Sequence, residues 1–301
     1  MSFIEKYDYY SIIAALLWGI NYITVKSVLA EIPESAFLVI RFTVAAVILF
    51  LYLAVTKEKI KIERSDIGKI LLLGVLGVGI YNILWTTGIH LTTASNAALI
   101  ISTSPLFTQL YVQIIHKEKI GFKHWIFTCL SFYGVFLMIS KSPGANFDFN
   151  SRFFIGNLIV LVSALLFAAY TVFSKPLLKR YSPVKLNALT MISGLPVLII
   201  YCILKGTAVP VQVTWLTAGK MFYIIIFGTV AAYICWYTGI EKTGPVKVIL
   251  FHYIVPVSSM ILGFLFLREP LNLFQVFGGI LALGCIVATK SKPTGMSANR
   301  S

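Results

Sequence analysis

The chain has 301 residues, 58% hydrophobic and only 12% charged, against about 25% charged in a soluble domain. That is too little charge to coat a water-facing surface, so a soluble globular fold is excluded and the bilayer must act as solvent. The formal net charge is +14, but Lys and Arg fall in short clusters between apolar runs rather than along a polar groove, which sets nucleic acid aside as a partner.

A helix needs about 20 apolar residues to cross the hydrocarbon core. Ten such runs follow one another, over 9–29, 35–56, 67–90, 94–116, 122–141, 153–175, 184–205, 216–240, 244–267 and 271–290. The start, with Glu5 and Asp8 ahead of a full-length run, does not resemble a cleaved leader, so the first run is expected to be retained. The connections are short, the longest being 56–66 and 142–152, and the polar stretch 291–301 is expected to be a tail. Cys129, Cys202, Cys235 and Cys285 lie in separate runs without CxxC spacing. They are expected to be small buried hydrophobes rather than disulfides or metal ligands. No cofactor is expected.

Cytoplasmic loops carry the excess of Lys and Arg. With the N-terminus inside, eighteen of the 25 basic residues fall on the cytoplasmic side, most of them around Lys57–Lys69, Lys117–Lys123 and Lys175–Lys185. Both termini are then cytoplasmic, which requires an even number of spans, and ten satisfies this.

The chain also resembles itself. Ala15-Leu-Leu-Trp18 through Lys26 aligns with Ala164-Leu-Leu-Phe167 through Lys175 at an offset of 149 residues. Farther on the offset is 151, pairing Trp85 with Trp236, Gly88-Ile89 with Gly239-Ile240, Thr92 with Thr243, Pro105 with Pro256 and Glu118 with Glu269. The Trp, Gly, Pro and Glu matches carry the argument, because Leu and Ile identities arise easily by chance. The predicted fold is therefore an all-α membrane protein of ten transmembrane helices in two five-helix units, 9–141 and 153–290, with 291–301 as a cytoplasmic tail. Five is odd, so the second unit enters the membrane from the opposite side. Such inverted repeats are the architecture of many secondary transporters.

The motifs then point to a family. Trp18-Gly-Ile-Asn21-Tyr-Ile-Thr-Val-Lys26 resembles the first-helix signature of EamA-type proteins of the drug/metabolite transporter superfamily. So do Arg41-Phe42, Gly88-Ile-x-x-Thr92-Thr-Ala94-x-x-Ala97-Ala98, Pro105 and Glu118, with Pro256 and Arg268-Glu269 repeated in the second unit. The second unit departs where Phe167-Ala-Ala-Tyr170 replaces Trp-Gly-x-Asn. The resemblance implies a ten-helix inverted-repeat carrier of amino acids, nucleobases, drugs or other metabolites. It also implies a central cavity walled by helices 1, 3, 4, 6, 8 and 9.

All eleven Asp and Glu residues fall at run ends or in loops. This argues against the mid-membrane carboxylate expected of a proton/organic-cation antiporter. Glu118 and Glu269 are expected to pair with nearby basic residues or cap helix ends. Lys26 and Lys175, at matched positions, are read either as snorkelling to the interface or as anion-attracting groups on opposite sides. Arg41 is expected to anchor the outer surface. His252, close to a run centre, reads first as a neutral imidazole bonded to a neighbouring helix and second as a proton-responsive site. Pro105 and Pro256 are expected to kink helices 4 and 9 and free backbone carbonyls.

Aromatic and amide residues complete the candidate site: Trp18, Asn21, Tyr22, Lys26, Tyr81, Trp85, Asn96, Tyr170, Trp236 and His252. For most of the rings the bland reading is packing or interface anchoring, but a buried amide demands partners. Such a pocket suits a neutral or zwitterionic metabolite as the small-molecule partner. Organic-anion exchange through Lys26 and Lys175 is the runner-up, and a non-transporting membrane helper a third reading. A membrane enzyme is disfavoured because the four His are scattered and no HExxH occurs. A monomer in the bilayer suffices, since both units are on one chain.

Overall fold

The computed structural model describes residues 6–92, 94–140, 151–207, 213–267 and 272–289. The side chains of Tyr22, Lys26 and Asn96 lie outside the described residues, as do Arg268, Glu269, the tail 291–301 and most of the loop 142–152. Every described element is a helix, as a chain without water to satisfy its backbone requires.

In chain order they are α1 (Asp8–Val28), α2 (Glu34–Val55), α3 (Arg64–Gly74) and α4 (Tyr81–Leu91), then α5 (Ala94–Ile101), α6 (Ser104–Ile115) and α7 (Phe122–Ser140). The second half has α8 (Ser151–Leu178), α9 (Pro183–Leu204), α10 (Trp215–Ile225), α11 (Ala232–Thr243), α12 (Pro245–Leu250), α13 (Ile254–Leu267) and α14 (Leu273–Thr289). A π-helical turn, Val75–Ile80, joins α3 to α4, and a second, Ile226–Ala231, joins α10 to α11. Among the described residues six stretches are long and apolar enough to cross a membrane: Glu34–Val55, Arg64–Leu91, Phe154–Leu178, Pro183–Leu204, Trp215–Thr243 and Pro245–Leu262. Leu99–Ile115 and Leu273–Ala288 are shorter apolar helices.

Local chemistry sets several boundaries. Ser182 and Thr214 cap α9 and α10 by accepting from the backbone N–H groups of Lys185 and Thr217. Gly244, at φ 86°, turns the chain between α11 and α12, and Pro245 opens the next helix. Helices 4 and 9 of the sequence reading do break, but ahead of their prolines. The first breaks between α5 and α6 at Ser102–Thr103, with Pro105 in the first turn of α6. The second breaks at a 3-10 turn, Phe251–Tyr253, just before Pro256. A proline in a first turn has no helical N–H bond to lose, so each starts a new segment rather than bending an old one.

Several landmarks recur at one spacing. The two π turns are 151 residues apart, the offset at which Trp85 aligns with Trp236. Packing recurs too. Exchanging α1 with α8, α2 with α9, α3–α4 with α10–α11 and α5–α6 with α12–α13 maps contacting pairs onto contacting pairs. Thus α4 on α8 becomes α11 on α1, α6 on α8 becomes α13 on α1, and α3 on α9 becomes α10 on α2. The pairs α2 with α9 and α7 with α14 map onto themselves.

The interior is aromatic, with Trp236, Tyr170, Tyr237, Tyr253, Phe37 and Phe42 fully buried. The outside is apolar as well: Leu51, Ile114, Ile200, Phe222, Leu265 and Ile280 are all exposed. A belt of this kind needs lipid rather than water around it. Cys129 lies on this exposed surface, not in the core, and only Cys285 of the four is buried.

Polar groups gather at the two ends of the bundle. At the first end Lys247 pairs with Asp8 at 2.9 Å and Lys175 with Glu118 at 3.9 Å. There also Arg180 bonds Glu63 at 2.8 Å and Asp66 at 2.9 Å, and Lys185 donates to the carbonyls of Lys59 and Lys61. The Asp66 carboxylate holds the Arg180 guanidinium above its ordinary value, so this link stays charged. At the second end Glu34 Oε1 accepts from Thr86, Thr87 and Tyr201, and its Oε2 faces His90 at 3.7 Å.

Candidate functional site

Between the two ends lies a cavity. Six of its lining side chains come from the first half: Trp18, Asn21, Arg41, Tyr81, Asn82 and Trp85. Phe167, Tyr233 and His252 come from the second. The cavity itself is narrow, about 40 Å³, within about 420 Å³ of unfilled space that includes the part open to the surroundings.

The cavity has an aromatic floor. Trp18 stands edge-on to Phe167, Tyr233 and His252 at centroid distances of 5.8, 5.6 and 6.0 Å, and 5.0 Å from Trp236. Tyr81 stacks on Phe167 at 5.3 Å. Beneath these rings, toward the first end, Tyr170, Trp236 and Tyr237 fill the space and are fully buried. The polar residues sit on the other side. Asn21 and Arg41 are each about 10 Å from the second-end termini of α1 and α2, at 1.5 Å per residue. The cavity therefore lies toward the second end, and the first end is packed shut.

The two π turns build this arrangement. A π turn shifts the hydrogen-bond register and frees backbone groups, and such turns are common at functional sites. In the first, the Val78 carbonyl accepts from Asn82 Nδ2 at 2.8 Å. In the second, the Gly228 carbonyl accepts from Trp18 Nε1 at 3.1 Å. One residue on, Thr229 Oγ1 accepts from Arg41 Nε at 2.7 Å and donates to the Ile224 carbonyl at 2.8 Å. The Arg41 guanidinium also lies over the Phe42 ring, 5.1 Å from its centroid. Gly228 lets Asn21 approach: a Cβ there would lie 2.5 Å from Asn21 Oδ1.

Of the ten substrate-site residues read from sequence, the cavity gathers Trp18, Asn21, Tyr81, Trp85 and His252. Trp236 and Tyr170 stand behind the lining, Trp236 against Trp18 and Phe167, and Tyr170 against Tyr233 and Tyr237. The side chains of Tyr22, Lys26 and Asn96 are outside the described residues. Lys175 is not at the cavity; it meets Glu118 at the first end. Two expectations are corrected. Arg41 is no surface anchor: it is 3% exposed and lines the cavity. His252 is not held by a neighbouring helix through Nδ1, which is buried with no hydrogen-bond partner among the described residues. Asn82, Phe167 and Tyr233 were not picked out as site residues. Their signal was weak, since each is an ordinary residue inside an apolar run, and only the packing of α4, α8 and α11 brings them together.

A sequence model of the EamA-like transporter family matches the chain twice, over residues 6–140 and 154–289. The chain belongs to the EamA-like transporter family. It is 28% identical over 277 residues to an uncharacterized transporter of Archaeoglobus fulgidus, covering 92% of this chain and 94% of that one. It is 29% identical over 255 residues to the uncharacterized transporter YyaM of Bacillus subtilis, covering 83% and 82%. A solved crystal structure superimposes with a TM-score of 0.78 at 16% identity, over 93% of this chain and 95% of the other, a likeness of fold. With its apolar helices, this EamA-family chain is a multi-pass membrane protein. Family and relatives point to a transporter rather than an enzyme.

Proposed function

We propose that this protein is a secondary carrier working by alternating access, which exports or exchanges a small neutral or zwitterionic metabolite across the cell (inner) membrane. One observation carries the reading: the cavity is walled by side chains from both halves of the chain. A site at the seam between two units changes its exposure when the units re-pack, as in carriers built from repeats.

We further read the chain as ten spans in two inverted units, residues 9–141 and 153–290. The double family match, the interchangeable packing pairs and the 151-residue spacing of the π turns support this. The excess of Lys and Arg supports reading the first end as the cytoplasmic one. On this reading the cytoplasmic end is the one closed by Asp8–Lys247, Glu118–Lys175 and the buried rings above them. The engagement of Lys175 with Glu118 speaks against a matched Lys26/Lys175 pair as the solute site.

Purified protein in liposomes tests the proposal. A carrier moves labelled solute saturably with no other component, and solute on the far side accelerates it. Flux equal to that of protein-free liposomes across amino acids, nucleobases and organic acids would overturn it, as would chemical conversion of the solute.

A further inference from the structure

We propose that Arg41 is an anion seat, and that the solute this cavity takes carries a carboxylate on a small apolar or aromatic body. The proposal rests on the carrier reading and names the substrate class of the same site.

The argument starts from cost. A cation within a span is expensive and persists where it is paired or functional. Arg41 is 3% exposed, yet among the described residues it makes no ion pair and one hydrogen bond, from Nε to Thr229. Glu34 lies two turns away on the same helix, but its oxygens are engaged by Thr86, Thr87, Tyr201 and His90. A guanidinium has five N–H donors and no acceptor. With Nε held by Thr229, the two terminal nitrogens remain as an end-on fork at the cavity wall. That fork matches the two oxygens of a carboxylate.

The other walls decide the rest. Among the described residues no Asp or Glu lines the cavity, so none of them balances an ammonium brought alone beside Arg41. Among the described lining residues Arg41 is the one Lys or Arg, and a single guanidinium neutralises one negative charge, which favours a carboxylate over a phosphate dianion. Trp18, Tyr81 and Phe167 supply ring faces for an apolar body, and Asn21 and Asn82 add amides beside Arg41. The solute is therefore a zwitterion or, beyond the neutral and zwitterionic class proposed above, a monocarboxylate, and not a lone cation.

Four compounds with one phenyl body test this: 3-phenylpropionate, L-phenylalanine, phenethylamine and 3-phenylpropan-1-ol. In thermal unfolding of the full chain in detergent, a ligand of the folded state raises the midpoint. The two carboxylates are expected to raise it, and the amine and the alcohol are not. Arg41→Gln is expected to weaken carboxylate binding about tenfold or more. If that variant does not fold, Arg41→Lys keeps the charge, loses the fork and should bind measurably more weakly than wild type. The proposal is overturned if the amine or alcohol shifts the midpoint as much as the acids, if neither acid shifts it, or if the acids act equally on the Arg41 variants. Uptake of the same labelled compounds by proteoliposomes separates the two levels. Movement of phenethylamine without the acids keeps the carrier and removes the role of Arg41. Carboxylate binding without movement keeps the seat and removes the carrier.

Discussion

Gly228→Ala is a small change with a large expected effect on transport. Gly228 sits in the π turn Ile226–Ala231, its carbonyl on Trp18 and its Cα against Asn21. A Cβ added there would lie 2.5 Å from Asn21 Oδ1 and 2.8 Å from its Cγ, where ordinary contact begins at 3.4 Å. The amide must retreat by the difference, about 0.9 Å, and because α1 holds its backbone it turns into the cavity. Stability changes little. Overpacking costs about 1–3 kcal/mol, toward the low end here because the obstacle is a rotatable side chain. Alanine in place of helical glycine returns about 0.5–1 kcal/mol. Site geometry is less forgiving, since a misplacement of about 1 Å costs as much as 100-fold at a preorganised centre. Gly228→Ala should therefore unfold within a few degrees of wild type while its initial uptake rate falls about tenfold or more. Gly219→Ala is the control, because a Cβ there meets nothing within 4 Å. Wild-type uptake and apparent affinity in Gly228→Ala would refute the reasoning.

Gly194→Ala should show the opposite pattern. Its Cβ would lie 2.6 Å from the Gly74 carbonyl oxygen and 3.0 Å from the Gly79 nitrogen, backbone atoms that cannot rotate away. The cost should reach the upper part of the 1–3 kcal/mol overpacking range, about 2–3 kcal/mol, seen as a lower unfolding midpoint. Lys175→Gln should leave the midpoint almost unmoved, because the pair with Glu118 is partly exposed and 3.9 Å long, worth about 1 kcal/mol at most. Loss of the same pair should raise opening of the first end about two- to fivefold, measured as faster labelling of a cysteine placed beneath the aromatic floor.

Much of the fold was legible because a bilayer leaves the chain few choices. Each of the ten apolar runs is helical over most of its length, since a span must satisfy its own backbone. The 151-residue register carried by Trp85 and Trp236 reappears in the π turns and in the packing. The π turns themselves were not legible. They depend on how α3 meets α9 and how α10 meets α1 and α2, and a run such as Ile226-Phe-Gly-Thr-Val-Ala231 reads as ordinary helix. Arg41 was misplaced for the same reason. Near the end of a run it reads as an interface anchor, and only the position of Thr229 across the bundle turns it inward. Aromatic candidates fared better because their size makes them fill the centre, although size does not tell the lining Trp18 from Trp236 behind it.

The central claim is that the shut first end must open for solute to pass. With Cys129, Cys202, Cys235 and Cys285 replaced, Asp8→Cys and Lys247→Cys put two thiols where side chains now meet at 2.9 Å. Joining them with a short reducible cross-linker should abolish solute exchange in proteoliposomes, and reduction should restore it. Undiminished exchange with the two positions fully joined would contradict the account.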